Sequence, residues 1–165
     1  MTTHTPLPVR QSDVDEFLAG HRIAVIGASD EADNFARTIY RELKAHGYEA
    51  VAVHPTAETV DGDAVVAHVG TIPEPVDGAI VMVPKDLAPA VVQECADAGV
   101  AHVWLFRGLG GDGAMSPEAV RVCNERGVGV VAGACPLMFL EPVGWFHRLH
   151  RAAKRRNGSL VVASD

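Results

Sequence analysis

Cationic residues are outnumbered in this chain: 14 Lys and Arg face 21 Asp and Glu, a formal net charge of −7 over 165 residues. Neutralising a nucleic-acid backbone takes an excess of Lys and Arg, so a general nucleic-acid binder is excluded. Basic residues do gather from Arg148 to Arg156, a run that fits a solvated helix face better than a phosphate or lipid contact. Cysteine is scarce too. Cys95, Cys123 and Cys135 form no CxxC pair and are odd in number, which points to reduced thiols and a cytoplasmic protein. No stretch approaches the roughly 18 uninterrupted apolar residues of a spanning helix, and the opening MTTHTPLPVRQSDVDEF has no signal-peptide core, so no membrane partner is expected.

Aromatics make up only 5% of the chain, yet 48% of it is hydrophobic, much of that Val and Ala. Short aliphatic strands under Ala-rich helices have this composition. The strand candidates are 23–26, 50–53, 78–83, 102–106 and 128–131. Helices are expected between them, one around Ile39, Tyr40 and Leu43 that closes at Gly47, one from Leu87 to Ala98, and one from Pro117 to Arg126. Ser12 opens an earlier helix, with Ser12 and Asp15 at capping-box-like spacing. Asp61-Gly62-Asp63 reads as a turn. Runs that are aliphatic throughout are buried on both faces, so the sheet is parallel. The fold class is therefore α/β, a Rossmann-like doubly wound parallel sheet of three layers in a single domain. The organisation expected is a flexible lead-in over 1–11, the Rossmann-like domain over 12–140, a C-terminal helix over 141–156 and a tail over 157–165.

Ligands of such sheets bind beyond the C-terminal ends of the strands. Gly27-Ala28-Ser29 follows the first strand, where a small residue lets phosphates approach the backbone and the next helix N-terminus supplies N–H donors. Only the first glycine of the dinucleotide motif is present. An NAD site would end its second strand in Asp or Glu, whereas His54-Pro55 stands there. Lys85 is a candidate for charge compensation, and Arg37, after the phosphate turn, is a second.

The ordered set IAVIGASD, a helix ending HGYE, VAVHP, TIPEPVDGAIVMVP, HVWLF and GACPLMFLEPVGWFHRLHR resembles the small stand-alone CoA-binding proteins, which are related to the CoA-binding domain of succinyl-CoA synthetase α-subunits. The likeness runs from about Ile23 to about His150. It implies a Rossmann-like fold that holds the 3′-phospho-ADP part of CoA. By position, Gly27, Ala28 and Ser29 would contact the phosphates. His54 and Pro55, where many relatives have Asn-Pro, would border the adenosine, and Val83, Pro84 and Lys85 would form the opposite wall.

Cys135, after the last strand, is read either as a reactive thiol able to form a mixed disulfide with CoA or as a small buried hydrophobe, with the second favoured. His147 and His150 could share a metal with Cys135, but no fourth ligand is fixed and no metal is expected. The region that carries the synthetase's phosphorylated histidine has no counterpart here, and neither does a GxxxxGK[ST] loop. The expectation is a non-catalytic CoA or acyl-CoA binding protein, a carrier, sensor or accessory subunit that self-associates as a homodimer through the Trp145 to Leu149 helix. Two alternatives stand beside it: an NAD(P)-binding domain of a dehydrogenase or redox sensor, and a scaffold that has lost its ligand.

Overall fold

The computed structural model describes residues 9–108 and 111–140 and the backbone at 162 and 163. The helix expected over 141–156, with Trp145, His147, Leu149, His150 and the Arg148 to Arg156 run, lies outside the described residues. Within them the chain runs β1 (Val9–Arg10), α1 (Gln11–Leu18), β2 (Arg22–Ile26), α2 (Phe35–Ala45), β3 (Glu49–Val53), β4 (Thr59–Val60), β5 (Asp63–Ala64), β6 (Gly78–Val81), α3 (Ala88–Asp97), β7 (His102–Phe106), α4 (Pro117–Arg126), β8 (Gly129–Ala134) and β9 (Val162–Ala163).

Five strands form one sheet in the order β3-β2-β6-β7-β8, every neighbouring pair parallel. Alternate residues of each strand point to opposite faces, and the two faces are covered by different helices. Ile23, Val25, Ile80 and Trp104 pack with Phe17 of α1 and Ile39, Tyr40 and Leu43 of α2. Ala24, Ala79, Val81, Val103 and Leu105 pack with Val92 and Cys95 of α3 and Ala119 and Cys123 of α4. The three layers are those expected from the uninterrupted aliphatic runs.

Trp104 organises the first face. Its ring meets Phe17 edge-on with centroids 5.3 Å apart and leans on Phe139 at 5.6 Å, and its indole N–H donates to the Ala134 carbonyl at 2.8 Å. That carbonyl belongs to a bulge, because Leu105 pairs with Ala132 but Phe106 pairs with Ala134.

Two boundaries differ from the sequence expectation. Val9 and Arg10, expected in the lead-in, form β1 in parallel with β9, whose two residues are expected in the tail. Val9 is buried in the Trp104 cluster, and removing its side chain from water offsets the cost of ordering this short stretch. Helix α1 starts at Gln11, with Arg10 at its N-cap and no side-chain cap. The Asp15 carboxylate accepts instead from the Gln11 amide one turn back, at 2.8 Å. The end of β1 sets the start of this helix, and Ser12 does not.

Between β3 and β6 the chain makes a hairpin, β4 with β5, across Asp61-Gly62, both with positive φ (49° and 84°) as a two-residue type I′ turn requires. Past the hairpin, Val66 bridges Val53 in parallel. The Val66 N–H donates to the Ala52 carbonyl and the His54 N–H donates to the Val66 carbonyl, each at 3.0 Å.

Candidate functional site

Strand β2 lies inside the sheet, and its C-terminal end is pinned from both sides. The Gly27 N–H donates to the Val53 carbonyl at 2.7 Å, and the Met82 N–H donates to the Ile26 carbonyl at 2.9 Å. Gly27 has φ +109°, and a Cβ built there would stand 2.4 Å from the Met82 carbonyl oxygen. Only glycine allows β6 to exit this close. Ala28 and Ser29 then turn inward and are buried.

The turn is clasped by Asn34, the N-cap of α2. Its carbonyl oxygen accepts from the Arg37 N–H, and its amide donates to the Gly27 carbonyl and to Ser29 Oγ, all at 2.9 Å. Sequence reasoning passed over Asn34. The signal available was an Asn just ahead of the apolar spacing at Ile39, Tyr40 and Leu43, the favoured N-cap residue at the right place.

A cleft of about 470 Å³ opens beyond these strand ends. The segment from Glu31 to Ala36 forms one wall, Gly27 the floor, and Met82-Val83-Pro84 with Phe106, Gly113 and Ala114 the other wall. Of the residues singled out from sequence, Gly27, Val83 and Pro84 line this cleft; Ala28 and Ser29 lie behind its floor. His54 and Pro55 stand at the end of β3, on the opposite side of β2. The His54 ring Nδ1 accepts from the N–H groups of Thr56 (3.2 Å) and Ala57 (3.0 Å), which closes a local turn. Phe35 and Phe106, not named from sequence, face each other in the cleft with ring centroids 5.6 Å apart.

Lys85, Arg37 and Arg41 have carboxylate partners. Lys85 pairs with Asp112 at 3.0 Å, and this partner raises the ammonium pKa. Arg37 pairs with Asp61 at 2.6 Å and with Asp30 at 3.4 Å, and Arg41 holds Asp61 at 2.5 Å. Asp30 in turn accepts from the Asp61 N–H at 3.0 Å and from the Thr59 hydroxyl at 3.2 Å, which ties the turn after β2 to the hairpin. The hydrogen bonds from Arg41 and then Arg37 hold the Asp61 carboxyl down at about 2. A depressed folded-state pKa means that its stabilising effect is complete above the unfolded value near 4 and disappears as pH falls through about 2. A carbon-detected NMR titration should therefore find Asp61 still ionised at pH 3. A midpoint near 4 would mean that the two guanidinium groups are not engaged in solution.

All three cysteines are buried. Burial pushes the Cys95 thiol up to about 12 and the Cys123 thiol up to about 11. Cys135 packs in the Trp104 cluster and does not line the cleft. Among the described residues, no group of three His, Cys, Asp or Glu side chains could hold a metal ion, and no helix is long and apolar enough to cross a membrane.

A sequence model of the CoA binding domain matches residues 21–141, from the start of β2 to just past β8. The chain belongs to the CoA-binding domain family. Among the family's curated members, it is 34% identical over 118 residues to acetate–CoA ligase [ADP-forming] I of Archaeoglobus fulgidus, a match that covers 68% of this chain and 17% of the ligase. It is 27% identical over 126 residues to protein YneT of Bacillus subtilis, covering 76% of this chain and 90% of that one. A hypothetical protein from Pyrococcus horikoshii superimposes with a TM-score of 0.71 at 27% identity, over 82% of this chain and 94% of its own. The chain thus spans a CoA-binding domain and a small part of the length of the ligase. The five-stranded sheet, the glycine turn and the cleft at the strand ends all fall inside the matched segment.

Proposed function

We propose that this chain binds CoA or acyl-CoA as a carrier, sensor or accessory subunit, without catalysing a reaction itself. The observation that carries the reading is the cleft floored by Gly27 at the strand ends of a CoA-binding domain. In this reading the pyrophosphate rests against Gly27-Ala28-Ser29 and the N-terminus of α2, where backbone N–H groups and the helix dipole favour anions. The adenosine lies over His54 and Pro55, and Val83, Pro84 and Lys85 form the opposite wall. The 3′-phosphate finds a cation by exchange. Lys85 is held by Asp112 in a pair more than half exposed on both sides, and such a pair is worth little, so a doubly charged phosphate can displace the carboxylate.

Calorimetry with CoA, dephospho-CoA and NADP tests this. Loss of a charge-assisted contact costs about 1.5–3 kcal/mol, so CoA should bind at least about tenfold more tightly than dephospho-CoA. Equal affinities would remove the 3′-phosphate from the site. Tighter binding of NADP would replace CoA by a dinucleotide as the ligand.

A further inference from the structure

The cleft and the expected adenosine position lie on opposite sides of the glycine turn. In the sheet order β3-β2-β6-β7-β8, His54 and Pro55 extend from β3, whereas the cleft runs from β2 across β6 to Phe106 at the end of β7. A CoA molecule anchored by its phosphates at Gly27 therefore directs its other end, the pantetheine arm and acyl thioester, into this cleft. Phe35 and Phe106 stand there as a tilted pair, 43° between ring planes.

Phe35 is the more informative member. It is the first residue of α2, and 43% of it is exposed. Large exposed hydrophobics are few among the described residues; the other is Leu87, just before α3 at the same end of the sheet. An aromatic ring left in water beside an apolar wall gains burial only when something covers it. That wall contains Met82, Val83, Pro84 and Ala114, and the cleft volume is within the range of small-molecule sites. The opposite rim carries Glu31 and Asp33, and the lining residues include no cation.

We propose that the Phe35–Phe106 pair is an acyl subsite, which takes an uncharged apolar or aromatic acyl group on CoA and disfavours acyl groups that end in a carboxylate. This rests on the CoA-binding reading above. The ring pair supplies stacking and area burial to the acyl group, and Glu31 and Asp33 oppose a second negative charge at the cleft mouth. It acts by selection among thioesters and requires no bond to form or break.

The test is calorimetry on the full chain with CoA, acetyl-CoA, benzoyl-CoA and succinyl-CoA, repeated on Phe35→Ala and on the double variant Glu31→Gln/Asp33→Asn. Benzoyl-CoA should bind about tenfold more tightly than CoA, and succinyl-CoA at least threefold more weakly than acetyl-CoA. Phe35→Ala should bring benzoyl-CoA down to the level of CoA, because the ring that covers the acyl group is gone. The double variant should bring succinyl-CoA level with acetyl-CoA. Four ligands of equal affinity, or a benzoyl preference that survives Phe35→Ala, would overturn the subsite and leave CoA binding intact. No binding by any of the four would overturn both readings.

Discussion

Gly27→Ala should lower the stability of this protein by about 3–5 kcal/mol, a large fraction of the 5–15 kcal/mol typical of a domain. Two costs add. A residue with a side chain is strained at φ +109°, and the new methyl group would stand 2.4 Å from the Met82 carbonyl oxygen. That oxygen belongs to backbone directly after β6, so the methyl has no flexible side chain to push aside. Urea unfolding followed by far-UV circular dichroism should give a midpoint far below that of the native chain. A midpoint equal to that of the native protein would mean that β2 and β6 separate freely at this end. The same geometry governs Gly27→Asp. Its carboxylate would repel phosphates, but its Cβ meets Met82 first, so lost ligand binding in that variant reports lost structure. Phe35 and the Glu31/Asp33 pair are the better handles on the ligand.

Trp104→Ala should cost a similar amount, about 3–5 kcal/mol, for a different reason. The indole fills the space between α1 and the sheet, against Phe17 and Phe139, and is fully buried. Trp104→Phe separates its two roles. Most of the packing is kept, the hydrogen bond to the Ala134 carbonyl is lost, and a buried acceptor without its donor costs about 1–3 kcal/mol. The expected order of urea midpoints is native, then Trp104→Phe, then Trp104→Ala. If Trp104→Phe unfolds together with the native chain, the bond at the β8 bulge contributes nothing.

The sheet was legible because its strands are aliphatic on both faces, a pattern that needs no knowledge of distant contacts. The Asp-Gly turn was legible for the same local reason, since only a few residue types accept two successive positive φ values. Gly27 was found by its position after the first strand, although its tight approach to Met82 joins residues 55 apart and has no local signature. Phe35 and Phe106, 71 positions apart, became neighbours only when β2 and β7 were placed in one sheet. The carboxylate partners of Arg37 and Lys85 were hidden likewise, because a charge in a sequence does not name its counter-charge. Val9 and Arg10 were misassigned because two residues carry no period, and their partner strand lies more than 150 positions away.

The bridge between Val53 and Val66 has a consequence for how copies of this chain behave in a crowded solution. β3 is the outermost strand on its side, and a bare outer strand is a template on which another chain can add. Here the protein adds to itself. Val66 takes up the Ala52 carbonyl and the His54 N–H, and the charged side chain of Glu49 is exposed at the other end of the strand. Growth of a continuous intermolecular sheet from this border is therefore blocked by the chain's own return segment.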